Sequence, residues 1–396
     1  MTSNNNIPQG YKQTEIGVIP EDWYETKIGS LGNIVGGGTP NTLDPSFWNG
    51  NIQWYTPAEI GNCKYIKASM RTITEKGLNH SSAKILPKGT ILLTTRASIG
   101  QSAILKTQAT TNQGFQSIVV NNECSNEFVY YLLKTKVREM INISSGSTFL
   151  EISKHKLSTI SVVIPPLAEQ KAIATALSDV DALIAALDKK IAKKKLIKQG
   201  AMQQLLTGKK RLPGFTEEWV EIKLGDISHI KTGNRNGDQA VLNGLYPFFV
   251  RSQNVYRIDS YSFDGEAILV PGEGGIGNIF HYIKGKFDYH QRVYKISHFN
   301  NSVCGKYIFF YMLRYFGDYA LSLTVKATVD SLRLSTFEKF VISMPNNIKE
   351  QQAIATILRN MDKEISDLEA KRDKYRLIKH GMMQKLLTGQ IRLKTT

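Results

Sequence analysis

The stretch EQKAIATALSDVDALIAALDKKIAKKKLIKQGAMQQLLTGKKRL fills positions 169–212, and EQQAIATILRNMDKEISDLEAKRDKYRLIKHGMMQKLLTGQIRL fills 350–393. The two align without a gap at an offset of 181, and 24 of their 44 positions are identical. Chance does not produce such a match, so the chain carries one element twice. Each copy reads as a long helix. Pro165 and Pro166 stand before the first, no proline follows until Pro213, and Thr207-Gly208 reads as a C-terminal stop. About 40 residues at 1.5 Å each make a rod of roughly 60 Å, longer than a globular helix usually runs without a partner.

The spacing names that partner. Ile173, Leu177, Val180, Ile184, Leu187 and Ile191 recur at intervals of 4, 3, 4, 3 and 4. Ile354, Leu358, Met361, Ile365 and Leu368 recur at 4, 3, 4 and 3, and Arg372 follows four residues on. That is a heptad seam, and it predicts an intramolecular coiled coil. A whole globular segment separates the helices, so they are expected to run antiparallel. The competing arrangement packs each helix on its own globular segment.

The repeat continues weakly outward. EDWYETKIGSLG at 21–32 resembles EEWVEIKLGDIS at 217–228, and GTILLTTRASIG at 89–100 resembles GEAILVPGEGGIG at 265–277. Gln113 falls near Gln291, and FVYYLLKTKVREM resembles YIFFYMLRYFGDY. GTILLT, AILVP, SIVV and FVIS read as short strands, and 128–140 and 306–319 as helices. The fold class expected is therefore two tandem α/β (α+β) globular domains separated by two long antiparallel helices. The boundaries are a first domain at 1–165, a central helix at 166–208, a second domain at 209–345 and a distal helix at 346–396. Trp23 and Trp219 open the two domains at equivalent places and are assigned to the cores. KKRLPGFTEEW follows the first helix but only QIRLKTT follows the second. The N-terminal PQGYKQTEIGVIPEDW would continue the pattern, so the termini are expected to meet across a two-fold pseudo-axis.

Composition bounds the function. Lysine and arginine number 50 against 34 acids, a formal charge of +16, which favours a polyanionic partner. The apolar content of 41% excludes global disorder. No apolar run nears the roughly 18 residues of a membrane span, and the N-terminus lacks the charge and apolar core of a signal peptide. Cys63, Cys124 and Cys304 lie too far apart for a disulfide framework or a zinc site. A soluble cytoplasmic protein is the expectation.

Enzymatic motifs fail one by one. Residues 272–277 satisfy GxGxxG, but Pro271 precedes them and β-like sequence follows, so a turn between strands is the plainer reading. There is no Walker A sequence, no HExxH and no adenine-methyltransferase Asn-Pro-Pro-aromatic motif. Glu25-Thr26-Lys27 and Glu221-Ile222-Lys223 resemble half of a nuclease site without its aspartate. A binding protein is expected, with no catalytic residues, no cofactor and no metal in the chain. The rival readings are a self-contained DNA-modifying or restriction enzyme and a scaffold without a DNA role.

The chain resembles the specificity subunits of type I restriction–modification enzymes. EDW followed by Lys-Ile-Gly, GTILLTTRASIG, IPPLAEQKAIA and LIKQGAMQQLLTGKKRL carry the likeness. The last two recur as MPNNIKEQQAIA and LIKHGMMQKLLTGQIRL. The resemblance spans essentially the whole chain and implies a division of labour. Each variable segment would be a target recognition domain reading one half of a bipartite, asymmetric site in double-stranded DNA. The helices would set the spacer and dock two modification subunits, which carry S-adenosylmethionine and methylate adenine. Restriction subunits that translocate and cleave would join them. The second domain departs by carrying VPGEGG where the first has TTRAS, which bears on base choice.

Base readers are sought among loop Arg, Lys, Asn, Gln, Ser and Thr, whose donors and acceptors match base edges. Candidates in the first domain are Arg96, Ser98, Gln101, Asn112, Gln113, Ser145, Ser147 and Thr148. In the second they are Arg235, Arg251, Gln253, Asn254, Gln291, Arg292, Lys326 and Thr328. For any one of them a solvated loop position or a phosphate contact is the plainer role. Lys189, Lys190, Lys193, Lys194, Lys195 and Lys198 form a basic run read as a solvated helix face or a DNA contact. Leu196, Ile197, Met202, Leu205 and Leu206, with Leu377, Ile378, Met383, Leu386 and Leu387, form a second apolar set. It would serve the globular domains, the modification subunits or both.

Overall fold

Short β-branched runs need neighbours to bury their faces, and both globular segments solve this with the same sheet. The computed structural model describes residues 7–393 except 62, 97, 146–149, 276 and 324–330. In the first segment a five-stranded sheet runs Gly32–Gly36, Gln116–Val120, Ile91–Leu93, Ser102–Leu105, Tyr65–Ile66. In the second, a six-stranded sheet runs His229–Thr232, Val293–Ser297, Phe263–Pro271, His281–Tyr289, Tyr246–Phe249, Val255–Ile258. The first four strands share order and antiparallel sense, and the fifth joins parallel in both. Gln116 lies opposite Gly36 as Tyr294 lies opposite Thr232. A separate ribbon pairs Tyr24–Lys27 with Ser161–Ile164, matched by Trp219–Lys223 with Val341–Pro345. The first segment adds a three-stranded sheet of Thr110–Thr111, Trp48–Tyr55 and Arg71–Ile73.

The helix expected at 128–140 is two, Asn126–Thr135 and Val137–Ile143, broken where Lys136 leaves helical geometry (φ −95°, ψ 0°). Its counterpart is one helix, Gly305–Leu323. The repeated elements form helices Leu167–Leu205 and Ile348–Leu386, each 39 residues and so about 58 Å long. The chain divides into two units, Met1–Ala186 with Arg372–Thr396, and Leu187–Lys371. Each unit holds one globular segment and part of both long helices.

The long helices pack together, antiparallel, in each unit. In the second, Lys194 meets Glu364 at 2.7 Å, and Lys198 further along meets Asp362 at 2.5 Å, earlier in its own helix. Lys195 pairs with Glu369 at 2.7 Å, so three of the six lysines in the basic run are engaged by the partner helix. In the first unit Lys379 meets Asp181 at 2.6 Å. Ile173 and Leu177 are buried in the first unit's core with Leu386 and Leu387, and Met383 packs on it. Ile354 and Leu358 are buried in the second unit's core with Met202, Leu205 and Leu206, and Met361 packs on it. Leu187, Ile191 and Ile365 are buried; Val180, Ile184, Leu368 and Arg372 are half-buried. Helix ends therefore serve the globular cores, while ion pairs tie one rod to the other.

The Glu-Gln pair that opens each repeat locks the helix start to its domain. Gln170 accepts the Ser125 amide at 2.8 Å and donates to the Pro165 carbonyl at 3.0 Å. Gln351 accepts the Cys304 amide at 2.8 Å and donates to the carbonyls of Pro345 (2.9 Å) and Ser302 (3.1 Å). Gln351 is fully buried, so Gln351→Ala strands these groups at about 1–3 kcal/mol for each one left unsatisfied. A lower urea midpoint is expected, and an unchanged one would contradict this role.

Glu169 accepts from the Trp23 indole at 3.0 Å and from Arg392 through both oxygens at 2.9 and 2.7 Å. Glu350 takes Arg211 in the same two-pronged way, both bonds at 2.8 Å. Trp23 is fully buried and Trp219 half-buried. Gly208 and Gly389 turn the chain beneath these tryptophans at φ +68° and +75°, where a side chain would be strained. The C-terminal turn reaches the N-terminal hairpin of Tyr11–Thr14 and Gly17–Pro20: the Tyr11 hydroxyl donates to the Gly389 carbonyl at 3.0 Å.

Candidate nucleic-acid interface

Beyond Leu93 the first unit's central strand continues as far as Arg96. The Thr95 amide donates to the Gly114 carbonyl at 2.9 Å, and the Ile152 amide donates to the Thr95 carbonyl at 3.2 Å. This three-stranded frame sets Arg96 beside Glu151, Nε to carboxylate at 2.9 Å. Ser145 pairs with Glu151 through both backbone bonds, and Lys156 donates to the Ser145 hydroxyl at 3.3 Å. Across the frame, Asn112 folds its side-chain oxygen onto the Gly114 amide at 2.8 Å, a local turn that presents Gln113 to solvent. Gln113 accepts from Thr39 at 2.5 Å. Ser98 sits in the turn after Arg96, and Gln101 is exposed just past it. Gly37 makes the loop possible, because a Cβ there would fall 2.0 Å from the Asn112 carbonyl.

The second unit builds the same frame. The Gly272 amide donates to Arg292 and the Leu332 amide to Gly272, both at 2.8 Å. Gly233 repeats Gly37, with a Cβ 2.0 Å from the Tyr289 carbonyl. The side chains differ. Glu273 occupies the place of Arg96 and holds both Arg251 and Arg292 at 3.2 Å. Both arginine side chains stay more than half exposed. Below them His290 is buried and accepts the Arg292 amide on Nδ1 at 2.9 Å. Burial first, and then the two arginines, hold its pKa below the ordinary imidazole value, so the ring stays neutral at pH 7. Gln291 donates to Asn236 at 2.7 Å. Gln253 and Asn254 lie exposed in the turn beside Arg251.

Not every candidate joins these clusters. Arg235 donates to fully buried Asp288 at 3.1 Å and to Ser260 at 2.9 Å, an internal tie. Ser147, Thr148, Lys326 and Thr328 lie outside the described residues. Sequence reasoning passed over Glu151, Glu273, His290 and Thr39. Nothing in local spacing ties position 96 to 151, and the search for base-edge donors favoured cations over the carboxylates that aim them. The glycine-rich stretch is a turn between strands, with Gly274, Gly275 and Gly277 at φ +69°, +84° and +71°. Among the described residues no group of three His, Cys, Asp or Glu could hold a metal, and no helix is long and apolar enough to cross a membrane.

The chain thus holds two copies of one frame and one long helix, each frame with its own polar cluster. The type I restriction modification DNA specificity domain matches residues 20–196 and 216–375. The chain belongs to this family of DNA specificity subunits of type I restriction–modification systems. It is 36% identical over 283 residues to the type I restriction enzyme MjaIX specificity subunit of Methanocaldococcus jannaschii, covering 65% of each chain. It is 29% identical over 163 residues to the EcoR124I/EcoR124II specificity subunit of Escherichia coli, covering 39% of this chain and 40% of that one. These matches thus span less than two thirds of either relative. The fold resembles the crystal structure of the S subunit from M. genitalium at a TM-score of 0.66 and 16% identity, covering 100% of this chain and 99% of that one.

Proposed function

We propose that each unit reads one half of a bipartite DNA site, and that the two halves differ in sequence. The observation that carries this reading is the twice-built frame. Thr95, Gly114 and Ile152 in one unit and Gly272, Arg292 and Leu332 in the other make the same bonds, yet they present Arg96 with Glu151 in one and Glu273 with Arg251 and Arg292 in the other. Arginine suits guanine O6 and N7, and amide side chains such as Gln113 and Gln291 suit adenine. A homodimer would be confined to a palindrome; two unlike readers are not.

The long helices set the gap between half-sites and dock two modification subunits, which bring S-adenosylmethionine and methylate adenine; restriction subunits join for cleavage. The chain is a non-catalytic, DNA-binding subunit acting in the cytoplasm. Supporting the docking, Leu196-Ile197 and Leu377-Ile378 stand exposed on the two helices at the repeat offset, at 69%, 45%, 74% and 40% of full exposure. Met202, Leu205 and Leu206, with Leu386 and Leu387, are instead buried in the domains.

Gel shifts of the full chain with its modification partner test DNA binding, since phosphate contacts impose a steep fall of affinity with salt. An affinity indifferent to salt would contradict it. Spacer control has its own test. Deleting one heptad from each helix removes about 10 Å of rod, roughly three base pairs. Selection on a spacer library is expected to yield a gap about three base pairs shorter, and an unchanged optimum would defeat the claim.

A further inference from the structure

The two units differ at one place where the repeat makes the comparison sharp. Ser125 and Cys304 donate their amides to the equivalent glutamines, Gln170 and Gln351, so they occupy the same position at the start of equivalent helices. Glu127 then corresponds to Lys306. The helix repeat places Ser178 in correspondence with Arg359. In the first unit this spot is internally neutralised: the Lys64 ammonium lies 2.8 Å from Glu127 and 2.6 Å from Ser178. The chain supplies both the anion and its cation.

In the second unit a lysine stands in the place of Glu127 and an arginine in that of Ser178, so the cations outnumber the nearby carboxylates Glu266 and Asp362. Lys306, Arg359 and Lys284 line an open cavity of about 260 Å³ together with Tyr282, Gln352 and Thr356. None of the three makes an ion pair among the described residues. The Lys306 ammonium rests 3.6 Å from the centre of the Tyr282 ring, whose hydroxyl donates to Glu266 at 2.6 Å. Asp362, the other nearby carboxylate, is engaged by Lys198 at 2.5 Å. Burial and then the charge of Arg359 push the Lys306 pKa down, and the opposing pull of Asp362 and Glu266 does not outweigh them.

We propose that the cavity between Lys284, Lys306 and Arg359 binds a phosphate group. A single carboxylate satisfies the matching spot of the first unit, which offers one lysine. Two ammonium groups and a guanidinium fork around one cavity suit a multiply charged tetrahedral oxyanion instead. The phosphate is either free or part of a DNA backbone.

Phosphorus-31 NMR of inorganic phosphate, titrated with the full chain at fixed ionic strength, tests the site. Saturable line broadening is expected with the native chain. It should vanish in Arg359→Ser and Lys306→Glu, which install the first unit's residues, and persist in Lys189→Ala. Thermal melts of each variant establish that it is folded. Gel shifts separate the sources: a DNA phosphate makes Arg359→Ser lower the salt slope by about one, whereas a free phosphate leaves the slope intact. The proposal is overturned if broadening survives both substitutions, if acetate at equal ionic strength displaces phosphate as well as sulfate does, or if neither broadening nor a slope change appears.

Discussion

Arg392→Ala is expected to destabilise the first unit by about 3 kcal/mol, the low end of the range for removing one partner of a buried ion pair. Glu169 is almost fully buried and depends on Arg392 for two bonds, with the Trp23 indole and the Leu393 amide supplying the rest. The arginine reaches the surface at one side, where it meets Asp22 at 2.7 Å, which moderates the loss. Burial alone would raise the Glu169 pKa; the bonds from Arg392, Trp23 and the Leu393 amide outweigh it and hold the carboxyl below the ordinary glutamate value. The unfolded chain therefore takes up this proton more readily than the folded one. The stabilisation is present above the unfolded pKa of about 4.3 and is lost as pH falls through the lower folded value. Urea melts should show the native chain losing stability toward acid, with the gap to Arg392→Ala narrowing there. A deficit under about 1 kcal/mol at pH 7 would mean the pair is dispensable.

Arg251→Ala combined with Arg292→Ala is expected to erase discrimination in one half-site and spare the other. Each arginine that pairs with a guanine edge carries about 1–3 kcal/mol of discrimination against the wrong base. Both lean on Glu273, so their losses should not add independently. Without them the bare carboxylate of Glu273 also repels the DNA backbone. Sequencing DNA selected from a random pool by the assembled complex would show one degenerate half-motif beside one intact half-motif. Equal loss in both halves would mean that these arginines hold phosphate rather than read bases.

What the sequence disclosed follows from where information is local. Helix duplication needed only identity at a fixed offset, and the heptad spacing pointed to packed rods. The same spacing was blind to the fact that Ile173, Leu177, Ile354 and Leu358 face globular cores, because a heptad does not say what covers it. The break at Lys136 carried no proline or glycine to announce it. Lys194, Lys195 and Lys198 looked like a solvated face because their acids lie more than 160 residues away. Arg211 and Arg392, with Glu169 and Glu350, were visible only as repeated letters; their partnership is a product of folding. In the candidate interface, the glycine turns and the exposure of Gln113 and Gln291 were legible, whereas the carboxylates that pair with the arginines were not.

Mapping every methylated adenine in DNA treated with this chain and its modification partner is the most direct test of two unlike readers on one scaffold. The result expected is two different short motifs separated by a fixed run of unspecified bases. A palindrome, or one uninterrupted motif, would contradict it.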